Sequence, residues 1–207
     1  MSTVTEHTHQ HEGTELSDVA LRVRTLESLL VEKGLVDPRA LDAVVETYET
    51  RIGPHYGAKV VAHAWVDPDF RRRLFEDTNA AVEEFDFTVA GVLATRLVAL
   101  ENTPSVHNLV VCTLCSCYPT QILGLPPTWY KSAAYRSRAV IEPRAVLKEL
   151  GVELADDVEV RVWDSNSDIR YFVVPERPAG SEGWSEERLA SIITRDAMIG
   201  TGKVTVP

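Results

Sequence analysis

The chain has 207 residues, 44% hydrophobic and 25% charged, which is enough for one domain with an arm and a sizeable buried core. Lys and Arg number 21 against 31 Asp and Glu, and the resulting net charge of −10 argues against sequence-independent nucleic-acid binding. No apolar run reaches the roughly 18–20 residues of a membrane span. The first residues lack the basic and apolar regions of an export signal, and the three cysteines share a single short window, so a cytoplasmic protein without a disulfide framework is expected.

Residues 1–15 are polar, include His7, His9 and His11, and read as a flexible tail. Residues 16–90 read as successive helices. Ser17 precedes a stripe of Val19, Val23, Leu26 and Leu30 that Gly34 closes, and Asp37-Pro38 opens a second stripe through Leu41, Val44, Val45, Tyr48 and Ile52 up to Gly53-Pro54. Asp67-Pro68 starts a helix carrying Phe70, Leu74 and Phe75. These apolar faces are predicted to embrace another chain. Residues 91–207 form the second region of an α+β fold, a layered α/β domain carrying the cysteine loop. Strands are predicted at Leu97–Leu100 and Asn108–Val111 around Pro104, and a helix begins at Pro143 and ends at Gly151. Val158, Val160 and Val162 alternate with charged residues, Asp164 to Asp168 turn the chain, and Ile169 to Val173 return as the second arm of a predicted hairpin. Ser185 caps a last helix with Leu189, Ile192 and Ile193 on its buried stripe.

Cys112, Cys115 and Cys117 form a C-x-x-C-x-C pattern whose thiolates can converge on one ion. Spacing alone leaves alternatives open: a structural zinc site needing a fourth ligand such as His107, a redox pair, or three buried inert thiols. His55, His63 and His107 read as hydrogen-bonded structural histidines, and Glu101 as a fold-stabilising or outer carboxylate. The Asp164–Asp168 turn lacks the glycine and terminal glutamate of a calcium loop. Trp129, Tyr130 and Lys131 are expected to pack or to meet the partner.

The run Val-Cys-Thr-Leu-Cys-Ser-Cys-Tyr at residues 111–118 resembles the metal claw of the nitrile hydratase α subunit, in its cobalt form. The resemblance extends through Gly57–Ala62, Ala64–Pro68, Leu123–Pro127, Trp129–Lys131, Val162–Ser165 and Arg177–Gly180, so it covers nearly the whole chain after residue 20. It implies sulfur ligands from Cys112, Cys115 and Cys117, amide nitrogens of Ser116 and Cys117 as further ligands, and a sixth position open to water or nitrile. Cys115 would be oxidised to sulfinic and Cys117 to sulfenic acid. The implied activity is hydration of a nitrile to its amide by Lewis-acid activation at Co(III), with Fe(III) as the alternative and Thr113 favouring cobalt. Cys117, Ser116 and Cys115 would be the catalytic set, the attacking oxygen being either a pocket water or the Cys117 sulfenate.

Three anionic sulfurs and two deprotonated amides around a trivalent ion leave a net negative charge, and residues 101–130 contain no Lys or Arg. Arginines are therefore expected from another chain, and the resemblance implies a β-type subunit that supplies them, together with a metal-loading activator. Relatives carry Trp-Pro where this chain has Thr120-Gln121, and a glutamine near the position of Leu93. The substrate-pocket residues Thr120, Gln121 and Leu93 thus suggest a roomier pocket for a bulky nitrile such as a cyano-substituted nucleoside. Thiocyanate hydrolase is the enzymatic rival, and a non-catalytic zinc or redox-sensor module is the rival of another class.

Overall fold

The computed structural model describes residues 18–40, 42–43, 53–85 and 96–207. The tail, the stripe residues Leu41, Val44, Val45, Tyr48 and Ile52, and Leu93 lie outside the described residues. Contacts divide the chain into two compact units, Met1–Val45 and Glu46–Pro207. In the first, helix α1 (Asp18–Glu32) leaves Val19, Val23 and Leu26 more than half exposed, and Leu35 N–H closes its end on the Leu30 carbonyl.

In the second unit, α2 (Pro54–Val66) starts on a proline whose missing N–H costs nothing at a first turn. Its Gly57, Ala58, Ala62 and Ala64 are buried small residues that let neighbours approach closely. Asp67 ends α2 and caps α3 (Pro68–Glu76), accepting from the amides of Asp69 and Phe70 at 2.8 and 2.9 Å, as Asp67-Pro68 predicted. Asp77 repeats the device for α4 (Thr78–Glu83). Four strands follow: β1 (Arg96–Glu101), β2 (Val106–Val111), β3 (Glu159–Asp164) and β4 (Ile169–Val174). Between β2 and β3 run α5 (Thr120–Leu123), a 3-10 turn (Thr128–Lys131), α6 (Ala133–Ile141) and α7 (Pro143–Glu149). Helix α8 (Glu186–Ile192), capped by Ser185, and a 3-10 turn (Ala197–Ile199) finish the unit.

The predicted β3–β4 hairpin does not form. Among the described residues β1 pairs with β4 and β2 with β3, both in parallel, so the turn Ser165–Asp168 carries the chain from one two-stranded sheet to the other. The reason lies in burial. Phe172, Val173 and Val174 are consecutive and at most 1% exposed, so β4 hides both faces rather than alternating with solvent. A parallel pair needs a long crossover. Residues 112–158 provide it between β2 and β3, and the cysteine loop is its first corner.

The base of β2 is a satisfied polar knot. Asn108 accepts from Trp163 Nε1 at 2.8 Å and donates to the Glu101 carbonyl at 2.7 Å, while the Glu101 carboxylate pairs with Arg71. His107 is buried, with Nε2 2.7 Å from the Gly200 carbonyl. Burial pushes its imidazole below the usual range, against the opposing effect of the Gly200 bond. The neutral ring is the folded form, so its contribution to stability is full above about pH 6.5 and is lost as pH falls and the unfolded ring takes up a proton. We expect the urea midpoint of the wild type to fall toward that of His107→Gln between about pH 7.5 and pH 5; a gap that stays constant with pH contradicts this assignment.

Candidate metal centre

Parallel register places the site. Val111, the last residue of β2, pairs with Asp164, the last of β3, and the Ser165 amide donates to the Val111 carbonyl at 2.7 Å. One step beyond the sheet, the Asp164 carboxylate accepts from the Thr113 amide at 2.9 Å and from its hydroxyl at 2.5 Å. Arg136 Nη1 holds the Thr113 carbonyl at 3.2 Å. The chain then curls so that Cys112 is buried, Cys117 half-buried and Cys115 exposed.

The three sulfurs converge. Cys115 Sγ lies 3.4 Å from Cys112 Sγ and 3.1 Å from Cys117 Sγ, far longer than a disulfide bond, and all three fall within 4.8 Å of one another. The Cys115 amide donates to Cys112 Sγ at 3.3 Å. Hydrogen bonds from the Cys117 and Cys112 thiols, then from the Ser116 and Cys117 amides, bring the Cys115 thiol down to about 7. Cys117 is pushed up to about 12, first by burial and then by its bond with Cys115. The Ser116 and Cys117 amides thus act on the Cys115 sulfur, and the three sulfurs themselves form a compact set of soft donors. That donor set fits a thiophilic transition metal.

The loop leaves through Pro119 into α5, whose first residues Thr120 and Gln121 are both half-exposed. Gly124, at φ 71°, crosses Gly53 so closely that a Cβ on Gly53 would lie 2.5 Å from the Gly124 Cα, which braces the post-cysteine loop against the start of α2. Tyr130 and Tyr135 pack beneath the loop with Trp129. Burial raises both phenols, so their hydroxyls remain donors.

Ser116 and the cysteine trio lie together, with Thr120 and Gln121 in the next turn. His107 does not join them. Its Nε2 is spent on Gly200, so the four-ligand zinc reading lacks its fourth donor, and the metal-ligating group found among the described residues is the three cysteines. His63 lies between Glu186 and Phe70, a structural histidine as expected. Two contributors went unread in the sequence: Asp164, which looked like turn chemistry, and Arg136. Counting cations only along residues 101–130 also missed that the fold brings this chain's own Arg136 to Thr113 and sets the positive charge of Arg170 where it acts on Cys117. Only the register of β3 and the packing of α6 reveal these neighbours.

A bowl of three converging thiols, at the corner of a parallel strand crossover, defines a cysteine-ligated metal-binding subunit. The sequence model described as "Nitrile hydratase, alpha chain" matches residues 17–202, and the chain belongs to that family of enzyme subunits. It is 52% identical over 190 residues to the low-molecular weight cobalt-containing nitrile hydratase subunit alpha of Rhodococcus rhodochrous, covering 92% of this chain and 91% of that one. It is 40% identical over 202 residues to the thiocyanate hydrolase subunit gamma of Thiobacillus thioparus, covering 93% and 82%. The solved structure of a double mutant of the Fe-type nitrile hydratase from Comamonas testosteroni Ni1 superposes with a TM-score of 0.81 at 41% identity, covering 94% of each chain.

Proposed function

We propose that this chain is the metal-bearing subunit of a cytoplasmic, cobalt-dependent nitrile hydratase that acts on a bulky nitrile of the nucleoside type and works with a β-type partner. The observation that carries the reading is the convergence of the three cysteine sulfurs within 4.8 Å of one another. Cys112, Cys115 and Cys117 would hold the ion, with the amide nitrogens of Ser116 and Cys117 as the further ligands that family membership implies. When bound, a trivalent cobalt supplies a Lewis acid that draws electron density from the nitrile nitrogen. Cys115 and Cys117 carry the sulfinate and sulfenate oxygens. Supporting this, they are the two reachable sulfurs, whereas Cys112 is 0% exposed. The exposed Ser116 hydroxyl would orient a water whose oxygen adds to the nitrile carbon as one C–N π bond breaks. The water's proton would pass by way of the Cys117 sulfenate oxygen to the nitrile nitrogen, a further proton shift from oxygen to nitrogen giving the amide.

A partner is favoured by the apolar surface this chain presents alone. Leu114 at the loop tip is 83% exposed and Leu125 is 65% exposed, while α1 shows Val19, Val23 and Leu26. Arginines from that partner bind the oxidised sulfurs by charge-assisted bonds, and an activator delivers the metal. Thr120 and Gln121, half-exposed in the turn after the cysteines, would leave room for a bulky nitrile where relatives have a large aromatic side chain.

Mass spectrometry of the co-expressed complex is expected to find two added oxygens on Cys115, one on Cys117 and none on Cys112, with about one cobalt per chain. Zinc with three plain thiols defeats the proposal. The substrate class is tested by kcat/KM on acrylonitrile against a nitrile-bearing nucleoside, and a preference for acrylonitrile ends that part. The relative from Thiobacillus favours a second reading as a thiocyanate hydrolase subunit, so thiocyanate belongs in the same assay; faster turnover of thiocyanate than of any nitrile replaces the first reading with the second.

A further inference from the structure

Two tyrosine hydroxyls bracket the cysteine loop. Tyr135 donates to the Val110 carbonyl at 2.8 Å, two residues before Cys112, and Tyr130 donates to the Cys117 carbonyl at 3.0 Å. Tyr130 is 0% exposed and Tyr135 6%, and both stand on regular elements, the Thr128–Lys131 turn and α6. The Tyr135 bond reinforces a carbonyl that already belongs to β2. The Tyr130 bond does more, because Cys117 lies outside any helix or strand. Cys117 presents two donors at once, its amide nitrogen and its sulfur. Their common direction depends on how the residue is turned about its backbone, and a hydrogen bond to its carbonyl from a fully buried tyrosine restrains that turn.

We infer that Tyr130 is a positioning residue, whose hydroxyl holds Cys117 by its carbonyl so that the amide nitrogen and sulfur of that residue stay turned toward Cys115 and Cys112. This rests on the metal-centre reading proposed above. Tyr118 supplies an internal control. It is 3% exposed and packs edge-on against Tyr130 at 5.0 Å, but among the described residues its hydroxyl has no hydrogen-bond partner. Tyr130→Phe and Tyr118→Phe thus remove the same atom from the same aromatic cluster, and only the first cuts a tether to the loop.

The test uses the cobalt-loaded complex co-expressed with its partner. Tyr130→Phe is expected to lower kcat about tenfold with KM within about twofold, and to shift the sulfur-to-metal charge-transfer absorption at equal cobalt content. Tyr118→Phe is expected to match wild type in all three readouts. A native spectrum and kcat in Tyr130→Phe overturns the inference, and so does an equal shift in Tyr118→Phe. Should Tyr130→Phe fail to assemble, p-aminophenylalanine at position 130 decides. This analogue keeps the ring and a donor, so native spectrum and turnover support the tether, and a defect in either overturns it. Wild-type complex without a cobalt–thiolate band or nitrile turnover sinks the metal-centre reading itself, before any variant is compared.

Discussion

Cys112→Ser is expected to leave the co-expressed complex nearly free of cobalt and to cut nitrile turnover by roughly a thousandfold or more. Cys112 is the floor of the bowl. It is fully buried, its sulfur lies 3.4 Å from Cys115 Sγ, and it accepts the Cys115 amide. Serine keeps the shape but exchanges a soft thiolate for a hard, protonated hydroxyl, and no other soft donor joins the trio among the described residues. Ser116→Ala is the contrast, because the proposed ligand there is the backbone amide; cobalt is expected to remain while turnover falls about tenfold. Elemental analysis and steady-state kinetics on the two complexes check both statements. Full cobalt and turnover in Cys112→Ser would remove that sulfur from the site.

Gly200→Ala is expected to destabilise the chain by about 3 kcal/mol and to lower the melting temperature by roughly 10 °C. Gly200 has φ +84°, where a side chain is strained, and an added Cβ would sit 1.9 Å from the Asn108 carbonyl oxygen. That oxygen belongs to β2 and cannot swing aside like a side-chain tip. Moving Gly200 instead breaks its bond with His107. Gly180→Ala separates the two costs. Its φ is +85° but a Cβ there meets nothing within 4 Å, so only the dihedral strain of about 1 kcal/mol applies. Equal melting temperatures for the two variants would show that the close approach to β2 carries no weight.

Local features were legible from the chain alone because they obey short-range rules. Asp67 and Ser185 cap helices with their own side chains, prolines open α3 and α7, and β1 and β2 flank Pro104, whereas Gly53-Pro54, read only as a helix end, also opens α2. The cysteine trio was legible for the same reason, since six consecutive residues confine three sulfurs to one neighbourhood. Strand partnership was not. Alternation in Val158–Val162 and a polar turn signal a hairpin, but they contain no information about the two-sided burial of Phe172–Val174, which sends β4 to β1.

What the sequence by itself determined was the donor set, the helix starts and the family those residues mark. Tertiary structure alone decided what surrounds the donors. The parallel register of β2 and β3 delivers Asp164 to Thr113, while the packing of α6 delivers Arg136 and Tyr135. The C-terminal turn takes His107 out of ligand contention. The physical reason is distance along the chain. Thr113 and Asp164 are 51 residues apart, and their contact exists only after the crossover closes and non-local burial has chosen one pairing among those that local pattern allows.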